Sequence, residues 1–480
     1  MGIQGLPGFI RSRAKECIRD FRLSELHSRS VAIDGNIVTQ RFHHSTENEH
    51  PNRTILGWYR FIKNLKSYSI NPIVVFDGSR RVSAKSRELE RRLSARQLMA
   101  GRAESEEART SRLRELKGIT SALQELSVND REKTIQDTQK IIDAATTTDA
   151  VTPDIAGSLS PTAQLSARFA QLTLSMQATS LADAHTLSKR QQTIAQGEAK
   201  AFMQALTPTP ALAEDQEDPL EALQNVLAES SVVAESYGRS STPVTRQTWT
   251  DCMDILRALG VPVLLTSNTE PQEAESLCSS LVEAGHADVV ITEDTDVLVF
   301  DSPMLRHVGP TSRDGELLHG KEIRQALGYS TREQWVDFCL LCGCDFIERI
   351  KGLGPVTAHK LLQQYGSIEE ILKSGTLQKL SRIQPPADVA SYLTDIEAAR
   401  AIYLTPISVE SITKEELQLQ DEDPNMKSIM RGFDLDLDRI EVRSGFEVSS
   451  EVNDRALLGA DIDEVFGLAS LDKPLSRDQS

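Results

Sequence analysis

Only six cysteines occur in 480 residues, and three of them, Cys339, Cys342 and Cys344, crowd into one segment. Their number and clustering exclude a disulfide framework and favour a reducing, intracellular setting. No apolar run approaches the length of a membrane span, and Met1-Gly2-Ile3-Gln4-Gly5-Leu6-Pro7 lacks the charged-then-apolar pattern of a secretion signal. Leu6 stands where myristoylation wants Ser or Thr. The expectation is a soluble chain without a membrane partner. Zinc is also poorly supported. Phe338-Cys339-Leu340-Leu341-Cys342 reads as an apolar helix with no fourth ligand at a usual spacing, so these cysteines are expected to be buried thiols.

The net charge of −17 argues at first against a polyanionic partner, but it is unevenly spread. Residues 1–126 hold 23 Lys and Arg against 14 Asp and Glu, residues 127–240 hold 8 against 15, and the remainder holds 22 against 41. A basic front with acidic later sections suits a nucleic-acid enzyme whose acids serve partly as metal ligands.

Two β-branched runs, residues 29–33 and 72–76, are each followed at once by an acid, Asp34 and Asp77. Both read as buried strands of a parallel sheet. Ile55, Trp58, Tyr59, Ile62 and Leu65 lie between them at helical spacing, which makes a βαβ unit. From about Ser83 to Leu126 the chain is a charged helical run with little apolar periodicity, expected to project into solvent or touch a charged ligand. Residues 127–240 are rich in Thr, Ser, Ala and Gln; part, notably 163–206, reads as helical, and much reads as a mobile insertion. Alternation then resumes, with helices over 249–259 and 271–284, strands over 261–265 and 288–292, and a further strand-like run, Val297-Leu298-Val299-Phe300. A helix after Arg332 leads to Asp345, and Gly352-Leu353-Gly354-Pro355 opens another through Tyr365. The last 80 residues read as an acidic tail with scattered apolar groups.

Seven carboxylates in five segments stand out: Asp34, Asp77, Glu273, Glu275, Asp294, Asp296 and Asp345. Asp294 and Asp296, two apart on an extended chain, would project to one side, and Glu273 and Glu275 reach outward from the first turn of a helix. Ligands of an open parallel sheet bind outside the carboxyl ends of its strands, where several of these acids should gather. Acids forced together repel, and divalent cations offset that cost. An all-oxygen donor set points to Mg²⁺ or Mn²⁺, and two such ions suit phosphodiester hydrolysis better than acyl or hydride chemistry. One acid after a strand is often only a turn or cap residue; seven at such junctions are harder to explain that way.

Met1-Gly2-Ile3-Gln4-Gly5-Leu6, Val75-Phe76-Asp77-Gly78, Glu273-Ala274-Glu275, Thr292-Glu293-Asp294-Thr295-Asp296 and Gly343-Cys344-Asp345-Phe346, in this order, resemble the flap endonuclease/XPG family of structure-specific 5′ nucleases. The likeness covers residues 1–126 and 242–372. It implies an α/β, PIN-like nuclease core with a mixed, mainly parallel sheet flanked by helices, a helical arch or insertion, and a helix–two-turn–helix segment. The implied division is an N-terminal nuclease region (1–100), an arch extension and long, partly disordered insertion (101–241), an internal nuclease region (242–330), a helix–two-turn–helix region (331–400) and an acidic tail (401–480).

By the same resemblance the seven acids would bind two Mg²⁺ ions, with Mn²⁺ able to substitute. Lys85 and Arg92 match the catalytic basic residues of the arch helix, whereas Arg87, Arg91 and Arg96 read as a solvated face. Gly352 and Gly354 would let the backbone approach a nucleic-acid phosphate, in a segment that in the family also holds K⁺. Gly2 would lie near the metal site; otherwise Gly2 and Gly5 merely permit a tight turn. The implied substrate is DNA with single-strand/double-strand junctions, handled by a monomer in the nucleus, with mitochondrial activity left open.

Some features depart from the family pattern. Gln40 occupies the position of its base-stacking Tyr, the insertion lacks the Lys-rich character of a threading arch, and no sliding-clamp motif is recognisable. These departures keep an alternative in view, a nuclease-fold scaffold or regulatory protein with weak or no activity.

Overall fold

A computed structural model of the chain describes residues 2–45, 50–78, 85–147, 160–183, 187–207, 219–267 and 273–440. The Thr207–Pro210 stretch beyond Thr207, the acidic run 214–218, residues 271–272 and the last forty residues of the acidic tail lie outside the described residues. The chain divides into two compact units, Met1–Arg92 with Val244–Ser480, and Leu93–Pro243.

The first unit is built on one seven-stranded sheet. Its strands are β1 (Ile18–Arg22), β2 (Ser30–Asp34), β3 (Asn71–Phe76), β4 (Val263–Leu265), β5 (Val289–Ile291), β6 (Pro303–Arg306) and β7 (Asp314–His319), in the order β1-β7-β6-β5-β2-β3-β4. Strands β6, β5, β2, β3 and β4 run parallel, while β7 pairs antiparallel with both β6 and β1. The mixed, mainly parallel sheet expected from the sequence is therefore present.

Alternation along each strand divides the core into two layers. Ala32, Ile73, Val75, Val290 and Met304 face one cluster, which also takes in Leu6, Phe9, Leu277, Trp335, Phe338 and Tyr403 from helices. Val31, Ile33, Val74, Phe76, Val289, Ile291 and Leu305 face the other, with Trp58, Phe61, Ile62, Ile255 and Met430. Both faces are covered by helices, which is why the central strands are continuously apolar. The helix Arg53–Ser67 serves the β2–β3 crossover and buries Ile55, Trp58, Tyr59, Ile62 and Leu65, as their spacing predicts. All six cysteines are free and buried.

Three expectations need correction. Val297–Phe300 is not a strand: Asp296–Val299 forms a short helix. A four-residue apolar run is buried in either conformation, and here the Asp294 side chain accepts a hydrogen bond from the Asp296 amide at 3.1 Å, which starts a helical turn. For the same reason Asp294 and Asp296 do not share a side of an extended strand; a turn sets their directions.

The final stretch is likewise no mere tail as far as Ile440. Tyr403, Met426, Met430 and Leu435 are buried in the core, and the amides of Gln420 and Asp423 donate to the carbonyls of Gly260 and Ala258, each at 2.8 Å. Gly260 has φ +72°, and a Cβ there would come within 2.1 Å of the Gln420 carbonyl oxygen. Only glycine permits that backbone approach.

The third correction concerns the insertion. The helix Ser86–Glu125 is followed by helices Val128–Thr147, Pro161–Asp183, Lys189–Leu206 and Pro219–Ser241. The second unit has its own apolar core, in which Leu113, Leu116, Ile119 and Leu123 pack with Phe169, Leu172, Phe202 and Leu223. The charged helix therefore has a buried face along that length. Beside this core lies a buried polar network: Glu198 accepts from Arg109 Nε at 2.9 Å and Arg112 Nε at 2.8 Å, and Glu106 pairs with Arg109 and accepts from Ser230 at 2.8 Å. Such residues look solvent-facing in sequence but satisfy one another inside the bundle.

Removing one member would strand charge in the interior. Glu198→Ala is expected to destabilise the helical unit by about 3–5 kcal/mol, because the buried Arg112 guanidinium loses its acidic partner and Arg109 keeps only Glu106. Urea unfolding followed by far-UV circular dichroism on the full chain checks this; an unchanged unfolding profile would contradict it.

Candidate active site

The acids gather where the carboxyl ends of the central strands meet the helices that follow. Asp34 closes β2 and caps the helix Gly35–His44, its Oδ1 accepting from the amides of Asn36 at 3.0 Å and Ile37 at 3.2 Å. Its Oδ2 accepts from the Thr292 hydroxyl at 3.1 Å, and Thr292 Oγ1 in turn accepts from the Asp294 amide at 3.0 Å. Asp77, immediately after β3, is exposed and accepts from the Ala274 amide at 2.9 Å. That bond ties β3 to the start of the helix Ala274–Glu283, which carries Glu275 and follows Glu273.

Glu273, Glu275, Asp294 and Asp296 are all buried. Burial raises the Asp34 carboxyl to about 7, with Asp294 and Asp77 adding to the effect. Burial also raises Glu273 to about 7, against the opposing pull of Lys85. Glu275 and Asp296 are pushed well above the usual carboxylate range, first by burial and then by neighbouring acids: Glu273 and Asp34 act on Glu275, and Asp294 and Asp345 on Asp296. These mutual effects mark the acids as one electrostatic cluster.

Two cations reach it, Lys85 just before the helix Ser86–Glu125 and Arg92 in its second turn. Lys85 Nζ lies 2.7 Å from Glu273 and 3.6 Å from Asp345, and 5.2 Å from the centre of the Phe346 ring. Burial alone would lower its pKa, but Glu275, Glu273 and Asp345 outweigh that and hold the ammonium well above its ordinary value. Arg92 donates to Asp345 at 2.6 Å and to Glu88 at 2.7 Å. Arg91, read as part of a solvated face, is half-buried and pairs with Glu88 at 2.7 Å.

Among the described residues, no three acidic, histidine or cysteine side chains converge closely enough to hold an ion in this arrangement. Lys85 and Arg92 offset part of the negative charge. The donor set nevertheless suits a hard cation, since it is made of carboxylate oxygens and one of them, Asp296 Oδ1, is buried without a hydrogen-bond partner. A buried carboxylate oxygen left bare is costly, and a cation would satisfy it.

The glycines divide by role. Gly2 has φ +93°, and a Cβ there would fall 2.3 Å from Asp294 Oδ1 and 2.5 Å from Thr295 Oγ1. The next amide, of Ile3, donates to Thr295 Oγ1 at 2.8 Å, so the amino terminus is bound to the acidic loop. Gly352 and Gly354 are not part of the acid cluster. Gly352 has φ +82° and packs against the Arg382 carbonyl, 2.0 Å from a would-be Cβ, while Gly354 precedes the helix Pro355–Tyr365.

Residue-by-residue reading missed Thr292 and Tyr403. Tyr403 is fully buried and its hydroxyl donates to Asp296 Oδ2 at 2.9 Å, with Phe346 and Phe300 packed beside its ring. Its only signal in the sequence is a polar aromatic among the apolar residues of a helix.

The XPG N-terminal domain matches residues 1–99 and the XPG I-region matches residues 267–345. Residues 1–99 and 267–345, both within the sheet-bearing unit, thus resemble the flap endonuclease/XPG family, and the mixed, mainly parallel sheet is in keeping with that likeness. The chain is 38% identical over 199 residues to flap endonuclease 1-B of Physcomitrium patens, covering 41% of this chain and 54% of that protein. To flap endonuclease 1 of Ovis aries it is 34% identical over 221 residues, 45% of this chain and 53% of that one. The matches thus span about half the length of these relatives. Among solved structures it is distantly similar to flap endonuclease-1 from Methanococcus jannaschii, with 14% identity and a TM-score of 0.44 over 94% of this chain and 96% of that one. Human GEN1 in complex with Holliday junction DNA gives 11%, 0.45, 90% and 73%. No helix among the described residues is long and apolar enough to cross a membrane.

The Tyr403–Asp296 bond can be tested without substrate. Tyr403→Phe leaves a buried carboxylate oxygen without its donor and is expected to cost about 1–3 kcal/mol. Urea denaturation of metal-free protein at neutral pH measures it; an unshifted midpoint would show that the bond carries no weight.

Proposed function

We propose that this chain is a divalent-metal-dependent, structure-specific 5′ nuclease that hydrolyses DNA phosphodiesters near single-strand/double-strand junctions, as a 5′-flap endonuclease, a 5′–3′ exonuclease or both. The observation that carries the reading is the single cluster of acids from five chain segments, capped by Lys85 and Arg92. Flap endonuclease is also the name of its curated relatives.

In this proposal Asp34, Asp77, Glu273, Glu275, Asp294, Asp296 and Asp345 hold two Mg²⁺ ions, or Mn²⁺. When bound, such ions supply Lewis-acid polarisation of a phosphoryl oxygen and a water of lowered pKa. The protein's own groups do the positioning. Lys85 and Arg92 are donors only, held in the charged state, and suit phosphate oxygens once their acidic partners are neutralised. Thr292 and Tyr403 orient Asp34 and Asp296 through hydrogen bonds. Gly2 keeps the acidic loop and the amino terminus in close contact, which a side chain would separate. The proposed division of labour gives residues 331–400 the duplex backbone, leaves 1–100 and 242–330 with the chemistry, and makes 101–241 an appended unit. A monomeric role in nuclear replication or repair follows from the same reading.

The test is cleavage of labelled DNA in Mg²⁺ by the full chain. A 5′-flap duplex should be cut to leave a 5′-phosphate, and Asp296→Ala should abolish cutting, a loss of at least about 10³-fold for a residue that would hold the ions supplying the chemistry. Product lengths on flap, nicked, gapped, bubble and four-way junction DNA separate endonuclease from exonuclease action. No cleavage of any of these by well-folded protein would sink the proposal and favour the scaffold alternative.

A further inference from the structure

The turn that opens the helix Pro355–Tyr365 is Arg349-Ile350-Lys351-Gly352-Leu353-Gly354, and the family resemblance leads one to expect a K⁺ ion among its carbonyls. Most of those carbonyls are already engaged by the chain. Ile350 O accepts from the Leu353 amide at 3.1 Å, Lys351 O from the Gln384 amide at 3.0 Å, and Gly354 O from the amides of Thr357 at 3.1 Å and Ala358 at 2.9 Å. Leu353 O accepts from Arg349 Nε at 3.2 Å.

That last donor is itself a cation, and it is held from several sides. Arg349 Nη1 donates to Gln4 Oε1 at 2.9 Å, and the Gln4 amide donates to Gly343 O at 2.9 Å. The aliphatic stem of Arg349 lies 3.3 Å from where a Cβ on Gly343 would sit, so a larger residue there would displace it. Gly343 has φ +105°, a conformation that glycine tolerates. Nη2 points towards the helix start, 4.0 Å from the would-be Cβ of Gly354. A monovalent metal ion needs several oxygen ligands free of other cations. Here a guanidinium, which cannot be deprotonated, is bonded to one of the carbonyls and would repel an incoming ion.

We propose that Arg349 is the built-in cation of this turn, taking the place of K⁺ and presenting its guanidinium to a DNA phosphate beside the amino terminus of the helix Pro355–Tyr365. A planar fork fixed by Leu353 O and Gln4 directs its remaining N–H groups, which suits a phosphate oxygen better than a mobile ion does. Binding of duplex through this turn would then be indifferent to which monovalent salt is present. This inference rests on the reading of the chain as a duplex-binding nuclease.

The experiment is fluorescence anisotropy of a labelled gapped duplex with the full chain in EDTA, in KCl and in tetramethylammonium chloride at equal ionic strength. Wild type should bind equally in the two salts, and thallium-205 NMR of the DNA-free protein should show no saturable Tl⁺ binding. Arg349→Ser should weaken duplex binding about tenfold in tetramethylammonium, the loss of one charge-assisted phosphate contact. K⁺ should restore part of it by entering the vacated turn, and Arg349→Lys should fall between. Circular dichroism melting of each variant confirms folding. Wild-type affinity that drops about tenfold without K⁺, saturable Tl⁺ binding by wild type, or Arg349→Ser and Arg349→Lys both matching wild type in both salts would each overturn the inference. Failure of wild type to bind duplex in either salt defeats the nuclease reading itself, and with it the phosphate contact; the Tl⁺ titration still decides whether the turn excludes the metal.

Discussion

The sheet-bearing unit depends on crowding like charges at one end of its strands and then holding them there. Asp34, Glu273, Glu275, Asp294 and Asp296 are buried beside one another, and burial together with repulsion from neighbouring acids pushes Asp34, Glu273, Glu275 and Asp296 towards protonation. Such an arrangement is unfavourable alone and survives only because the surroundings supply compensation: the cap amides of Asn36 and Ile37, the hydroxyls of Thr292 and Tyr403, the Ala274 amide, and the charges of Lys85 and Arg92. The compensating groups come from five stretches of the chain, 36–37, 85–92, 274, 292 and 403. The site therefore acts as a tie between chain segments far apart in sequence, and the packing of the two apolar layers supports it.

The same principle, polar groups satisfied by one another inside a fold, appears in the helical unit with a different outcome. Glu198, Arg109, Arg112 and Glu106 form a network in which each charge has a partner of opposite sign, so no external cation is called for. At the strand ends acids outnumber bases, and Asp296 Oδ1 is left bare. The contrast between a balanced and an unbalanced buried network distinguishes structural ion pairs from a site disposed toward a ligand.

The legibility of these features in sequence follows their physics. Strands β2 and β3 and the helix between them could be read because burial on both faces demands unbroken apolar runs and an amphipathic crossover leaves a period. The helical unit could not, because its core is spread thinly across four helices and part of its interior is charged. Thr, Ser and Gln in such a bundle look like those of a loop. Val297–Phe300 was ambiguous because four apolar residues carry no period, and the deciding bond was a side chain to its own backbone. Residues 405–440 looked like a tail because their anchors are backbone hydrogen bonds to Ala258 and Gly260, which no side-chain pattern announces.

By itself, the sequence determined the sheet-bearing class of fold, the family resemblance, the candidate acids and their order, since these rest on residue type and local spacing. Only the tertiary structure decided which groups neutralise those acids, that Tyr403 reaches Asp296, that the insertion is a packed unit, and that Arg349 enters the Gly352–Gly354 turn. Each of these depends on contacts between segments tens to hundreds of residues apart or on the path of the backbone. Hydrogen-bond direction and burial are properties of such contacts, and a linear pattern does not contain them.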